Sequence, residues 1–181
     1  MEFRAIFAGF GGQGVVSMGI LLAHAAMDYG RHVTFYPAYG PAMRGGTANC
    51  SIIISEEPIA SPIVSSPTLL AVMNEPSLDA YGACVEPRGF LLVNSSLISK
   101  KAARDDVSVY AVPANEIAEN LGQVRMANMA MLGGVLAASN VLPVEHVQAA
   151  IVKFVDKLQK NVKPNQEAMQ LGYEFVAKQR I

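Results

Sequence analysis

Cysteine is scarce in this chain: Cys50 and Cys84 are far apart, with no CxxC pair and no Cys/His cluster. An iron–sulfur cluster takes about four cysteine ligands, so this chain alone cannot hold one. Two separated thiols suit reduced side chains in a cytosolic protein better than a disulfide framework. Histidine is nearly as sparse. His24, His32 and His146 fall in an expected helix, strand and helix, with no serine or cysteine nucleophile in an elbow motif beside them. The sequence therefore assigns no catalytic residue and no metal-ligand set. Excess charge is also missing: 14 basic residues stand against 15 acidic ones, for a net charge of −1. That balance excludes general nucleic-acid and anionic-membrane binding, which draw affinity from surplus positive charge. The apolar stretch Val15–Met27 is broken by Ser17, Gly19 and His24, and is shorter than the roughly 20 residues a membrane span needs. The opening Met1-Glu2-Phe3-Arg4 leads into a strand-like run and not a signal-peptide core, so the expected location is cytoplasmic.

What is present is a globular composition: 181 residues, 51% hydrophobic and 16% charged. This suits one domain spanning residues 1–181. Phe3–Ala8 is a short apolar run that stops at glycines, a buried strand. Val15 to about Tyr29 reads as a helix closed by Gly30. His32–Tyr36 and Asn49–Ser55 are strands, separated by a loop from Pro37 to Thr47 too short for a helical crossover. Strand three is therefore free to run antiparallel to strand two. Residues 57–67, rich in Pro and Ser, form an extended connection. Leu69–Met73, Gly89–Val93 and Val107–Val112 are further strands, and Pro76–Val85 a helix. After Pro113 four helices are expected: Ala114–Leu121, Val124–Ser139, Val144–Leu158 and Asn165–Gln179. The pattern predicts an α/β chain, a three-layer α/β/α sandwich with a mainly parallel or mixed sheet and a helical C-terminal part.

Gly9-Phe10-Gly11-Gly12-Gln13-Gly14 fits G-x-G-x-x-G between a strand and a helix, the setting of a phosphate-binding turn. The dinucleotide form also needs an acid near the end of the second strand. No Asp or Glu occurs from Tyr29 to Ser55, and the second strand runs into Tyr36-Pro37-Ala38-Tyr39. A Rossmann-type NAD(P)-dependent oxidoreductase thus lacks its second signature, and no Gly-Lys-Ser/Thr follows to make a Walker loop. The acid-free stretch instead carries Arg31, His32 and Arg44. Arg44, among Gly and Pro residues in a loop expected beside the glycine loop, suits an anion or a partner's acidic group as well as it suits solvent. A nucleotide- or anion-binding module without redox chemistry fits these features too.

Three ordered motifs narrow the choice: the glycine loop Gly9–Val15, then Tyr39-Gly40-Pro41-Ala42-Met43-Arg44-Gly45-Gly46, then Pro58-Ile59-Ala60-Ser61-Pro62. Together they resemble the gamma subunits of the 2-oxoacid:ferredoxin oxidoreductases. Val93-Asn94-Ser95-Ser96, the run Ala127–Gly133, and Asn165 with Ala168 and Gly172 resemble the same family, so the likeness covers essentially the whole chain. One departure is Ala42, where the family usually has a Glu. The resemblance implies a non-catalytic subunit of an enzyme converting a 2-oxoacid, coenzyme A and oxidised ferredoxin to acyl-CoA, carbon dioxide and reduced ferredoxin. It implies thiamine diphosphate with Mg2+ on alpha and beta partner subunits, and [4Fe-4S] clusters on beta or on a ferredoxin-like delta subunit. It favours 2-oxoglutarate, with branched-chain 2-oxoacids or pyruvate next. It places this chain on the coenzyme A side, with Gly9, Gly11, Gly12, Gln13, Gly14, Tyr39, Gly40, Arg44, Gly45 and Gly46 as the contact residues.

Overall fold

The apolar run at the N-terminus does form the centre of a sheet. A computed structural model describes residues 2–40, 46–156 and 162–180 of the chain. Strand β1 (Glu2–Phe10) passes through the first glycine of the motif, and α1 (Val15–Asp28) follows. Then come β2 (His32–Tyr39), β3 (Thr47–Ser55), β4 (Leu69–Val72), α2 (Glu75–Tyr81), β5 (Phe90–Asn94) and β6 (Ser108–Val112). The helices α3 (Ala114–Asn120), α4 (Ala127–Ser139), α5 (Val144–Asp156) and α6 (Val162–Ala177) close the chain.

The six strands form one sheet in the order β2-β3-β1-β4-β5-β6. β1, β4, β5 and β6 pair in parallel, and β3 runs antiparallel to both β1 and β2. The expected antiparallel pairing of strands two and three is therefore present. β3 also inserts between β2 and β1, which the short loop did not foretell. Phe10 pairs with Thr47 and Tyr39 with Ala48, so β2 and β3 are a hairpin whose connected end lies beside the end of β1.

Several boundaries moved for physical reasons. β2 continues through Pro37, expected in a loop, because β2 is an edge strand where a residue without an N–H is tolerated. α6 begins at Val162, so Pro164 lies in its first turn, where the missing N–H is not needed. α2 ends at Tyr81 and tightens into a 3-10 turn over Gly82–Cys84. A second such turn, Val124–Met126, precedes α4. Gly30, with φ 80°, closes α1 as expected, its N–H donating to the Met27 carbonyl at 2.9 Å.

The two sheet faces are covered unequally. On one face α1 packs over β1, β2 and β3, and α4 over β4, β5 and β6, while α5 packs on α1 and α6 packs on both α4 and β6. Every residue of α4 from Ala127 to Ala138 is buried. A helix apolar on all sides belongs in a core. Phe7, Met18, Leu21, Leu22, Met131 and Leu132 are among the fully buried side chains of this side, each contributing about 1.5–3 kcal/mol by leaving water. The other face carries a smaller cluster around Ile6, Leu70, Val72, Leu91 and Val93, covered by Leu78 of α2 with Val85 and Ile98. Among the described residues no helix is long and apolar enough to cross a membrane.

Candidate functional site

The parallel strands and β2 all end at one edge of the sheet, and the glycine loop, Gly40 and Gly46 lie there. The loop's φ values separate its glycines: Gly12 at 101° and Gly14 at 75° are left-handed, a region where a Cβ is disfavoured. Gly11 is not among the positive-φ glycines. Its N–H donates instead to the Gly46 carbonyl at 2.9 Å, which ties the glycine loop to the hairpin. Gly40 donates to the Thr47 carbonyl at 2.7 Å, and a side chain on Gly40 would overlap the Thr47 hydroxyl.

Gln13 fills the inside of the loop. Its Oε1 accepts from the Phe10 N–H at 2.7 Å and from the Asn74 side-chain amide at 3.1 Å. Its Nε2 donates to the Met73 carbonyl at 3.2 Å. A Cβ on the buried Gly9 would meet Gln13 Oε1 at 2.7 Å, so that glycine makes room for the glutamine. Gly14 plays the matching part toward α4. Asn128 donates to the Gly14 carbonyl at 3.2 Å, and its amide nitrogen lies 2.5 Å from where a Gly14 Cβ would be. The most outward members of this group are Gly12 and Tyr39; the tyrosine is 66% exposed.

Two further groups extend the edge. Asn74 caps α2, its Oδ1 accepting from the Ser77 N–H at 2.9 Å. The fully buried Asn94 at the end of β5 donates to Asn115 Oδ1 of α3 at 2.8 Å. Asn49 of β3 donates to the Tyr81 hydroxyl at 3.0 Å. Uncharged amides thus tie the strands and helices of this edge to one another. Asn74, Asn49 and Tyr81 escaped the reading of the sequence. The Asn-Glu-Pro start of α2 is a recognisable cap signal, but nothing local to Asn49 or Tyr81 announces their contact.

Some expected residues fall elsewhere. Arg31 and His32 lie at the start of β2, at the opposite end from the glycine loop. Arg31 pairs with Glu56 at 2.9 Å and stacks over the Tyr29 ring at 5.3 Å, so it is a structural cation. Arg44 and Gly45, with Pro41, Ala42 and Met43, lie outside the described residues. Cys50 is buried against α1, its thiol donating to the Val15 carbonyl at 3.5 Å, and burial pushes its pKa up to about 12. A protonated, buried thiol is neither nucleophile nor metal ligand. Cys84 is exposed and remote in the fold, on the 3-10 turn after α2. Among the described residues no three His, Cys, Asp or Glu side chains gather where they could hold a metal ion.

The topology also speaks against dinucleotide binding. In that fold the ribose is held from the strand next to β1, parallel to it and joined by the first helix. Here that neighbour is the antiparallel β3, and β2 lies two strand spacings away, about 10 Å.

Comparison with known proteins agrees over the full length. The family model for pyruvate ferredoxin/flavodoxin oxidoreductase matches residues 4–175. Ketoisovalerate oxidoreductase subunit VorA of Methanothermobacter thermautotrophicus is 47% identical over 136 residues, which is 75% of this chain and 28% of that protein. The chain thus spans little more than a quarter of that relative. The 2-oxoglutarate synthase subunit KorC of Methanocaldococcus jannaschii is 34% identical over 175 residues, covering 95% of this chain and 92% of that one. Among solved structures, the gamma subunit of the keto/oxoacid ferredoxin oxidoreductase from Geobacter sulfurreducens superimposes with a TM-score of 0.87 at 28% identity, over 98% of both chains. With the same fold, a near full-length relative and a family match over almost every residue, this chain belongs to the pyruvate ferredoxin/flavodoxin oxidoreductase family and is of its gamma type.

Proposed function

We propose that the chain is the gamma subunit of a cytoplasmic, multi-subunit 2-oxoacid:ferredoxin oxidoreductase, and that it builds the coenzyme A side of the active site without catalysing a step. The observation that carries this reading is the bond from Gly11 N–H to the Gly46 carbonyl. It sets the glycine loop beside Gly46, at the start of β3, at the carboxyl end of the sheet. In open α/β sheets that end is where ligands sit. The acid-free segment from Tyr29 to Ser55, which carries Arg44, suits the phosphates of coenzyme A, as does the outward backbone of the glycine loop. Arg44, Gly45, Gly46, Tyr39 and Gly40 would contact the ligand from the hairpin, and Gly11 and Gly12 from the loop. Gly9, Gln13 and Gly14 would shape the loop from behind.

The chemistry belongs to the partners. Thiamine diphosphate with Mg2+ on the alpha and beta subunits would supply decarboxylation, and [4Fe-4S] clusters there or on a delta subunit would pass electrons to ferredoxin. In this reading the chain carries no cluster of its own, its two separated cysteines being too few to ligate one. For the substrate, the greater identity to the ketoisovalerate subunit, 47% against 34% for the 2-oxoglutarate subunit, moves our preference from 2-oxoglutarate to a branched-chain 2-oxoacid.

Anaerobic affinity capture of the tagged chain from its host, with mass spectrometry and a coenzyme A-dependent dye-reduction assay on each 2-oxoacid, tests this. A thiamine-binding subunit and an iron–sulfur subunit in the eluate, with activity on a branched-chain 2-oxoacid, are expected. A chain recovered alone and inactive with every 2-oxoacid would overturn the assignment. In the active complex, Arg44→Ala should raise the coenzyme A KM about tenfold, the loss of one charge-assisted contact.

A further inference from the structure

The Gly11–Gly46 bond extends the β1–β3 ladder by one step beyond Phe10 and Thr47, and a separate connection between the same two loops runs through α2. Gln13 in the glycine loop accepts from Asn74, which caps the first turn of α2. At the other end of that helix the Tyr81 hydroxyl accepts from Asn49 on β3 at 3.0 Å. Asn49 lies three residues beyond Gly46, whose carbonyl accepts from Gly11. The path therefore closes on itself: glycine loop, Gln13, Asn74, α2, Tyr81, Asn49, hairpin, glycine loop. Each link is between groups far apart in sequence, and Asn74 is almost fully buried. A closed ring holds its members in register better than the same bonds in an open chain, because the partners of a broken link are kept close by the links that remain.

We propose that Tyr81 is a positioning residue for the ligand loops: through Asn49 it holds the hairpin against the glycine loop, and so keeps the Gly11–Gly46 bond closed. Tyr81 touches neither loop, and it reaches the site from the thinly covered face of the sheet. α2 is short, seven residues; Asn74 at its start bonds Gln13, Tyr81 at its end bonds Asn49, and Leu78 between them packs on the sheet. It acts as a brace between the loops. The link to coenzyme A rests on the function proposed above; the brace itself does not.

Tyr81→Phe removes one hydroxyl and leaves the ring packed, so the fold is preserved. Loss of a single neutral hydrogen bond should open the register about fivefold more often. The direct test is hydrogen exchange of the peptide containing Gly11 in the full chain, read alongside the melting temperature. About fivefold faster exchange at Gly11 is expected for Tyr81→Phe and for Asn49→Ala, with the double variant no faster than either single one, because both remove the same bond. Unchanged exchange at Gly11 in a folded Tyr81→Phe chain overturns the proposal. So does full additivity in the double variant.

In the assembled enzyme the same Tyr81→Phe change should raise the KM for coenzyme A several-fold with kcat and the KM for the 2-oxoacid unchanged. A merely destabilising change would lower activity toward all substrates together. If exchange at Gly11 quickens while neither Tyr81→Phe nor Arg44→Ala alters the coenzyme A KM, the brace stands and the coenzyme A reading fails. If Arg44→Ala raises that KM and Tyr81→Phe changes nothing, including exchange, the coenzyme A reading stands and the brace fails.

Discussion

Two regions of this molecule spend their glycines differently. Where α4 crosses α6, a Cβ on Gly133 would overlap the Met169 carbonyl, and one on Gly172 would overlap the Ala130 carbonyl. There two helix backbones touch, and the glycines are the absence of anything between them. At the β1–α1 turn, Gly9 and Gly14 admit the side chains of Gln13 and Asn128, and Gly12 admits only a backbone angle. One region makes the core solid and the other makes room for amides. The lesson concerns the G-x-G-x-x-G pattern. Its glycines follow from packing and conformation inside the turn, so the pattern by itself does not demand a phosphate.

The sharpest way to break this contrast is at the helix crossing. Gly133→Ala puts a methyl group into a backbone that cannot rotate aside, so the whole of α6 must move. A loss of about 3 kcal/mol or more is expected, seen as a lower urea midpoint or as an insoluble chain. Gly172→Ala should do the same, and the pair should be far from additive because both push the same two helices apart. A Gly133→Ala chain as stable as the parent would show that the crossing has slack and that the two regions do not differ.

Next in size is Gly14→Ala. It adds the strain of a left-handed alanine, about 1–2 kcal/mol, to a collision with the Asn128 amide. Unlike a backbone carbonyl, that amide belongs to a side chain that can be removed. Asn128→Ala in the same chain should recover the collision and leave the strain, so the double variant should be more stable than Gly14→Ala alone. Urea melts of the three variants check this. No recovery would mean that α4, rather than its side chain, sets the limit at Gly14.

Much of the scaffold was legible because it follows local pattern. Phe3–Ala8, followed by glycines and an Ala- and Leu-rich run, could only be a strand entering a helix, and the short Pro37–Thr47 connection allowed an antiparallel return. The Met-, Ala- and Gly-rich run from Met126 was readable as a packed helix. What local pattern does not carry is which strand lies beside which. β3 reads the same whether it sits at the edge or, as it does, between β2 and β1. Pro37 looked like a loop residue because its tolerance depends on β2 having one open side. The site was half legible. The motif located the turn and the hairpin, but Gln13 reads as a ligand contact in sequence and as the turn's own filling in space. Its distant partners, Met73 and Asn74, lie in the link between β4 and α2, some sixty residues on. Asn49 and Tyr81 carry no sequence mark, because a lone amide and a lone tyrosine are ordinary residues until the fold brings them together.

The smallest expected effect is also the most informative about ligand binding. Gly12 has φ 101°, is exposed, and among the described residues has no atom within 4 Å of where its Cβ would be. Gly12→Ala therefore meets no collision with them and carries the backbone strain, about 1–2 kcal/mol. If the turn's glycines serve packing and conformation alone, this change should lower stability by that amount and leave the coenzyme A KM untouched. If the outward side of the turn takes the ligand, a methyl group at Gly12 obstructs an approach to backbone N–H groups that only glycine allows. The KM for coenzyme A should then rise well beyond what a modest loss of stability explains, with kcat retained. Steady-state kinetics on the assembled enzyme, with urea melts of the same variant, separates the two outcomes. We expect the second, because a side chain at Gly12, unlike one at Gly9 or Gly14, meets neither Gln13, Asn128 nor any other of the described residues.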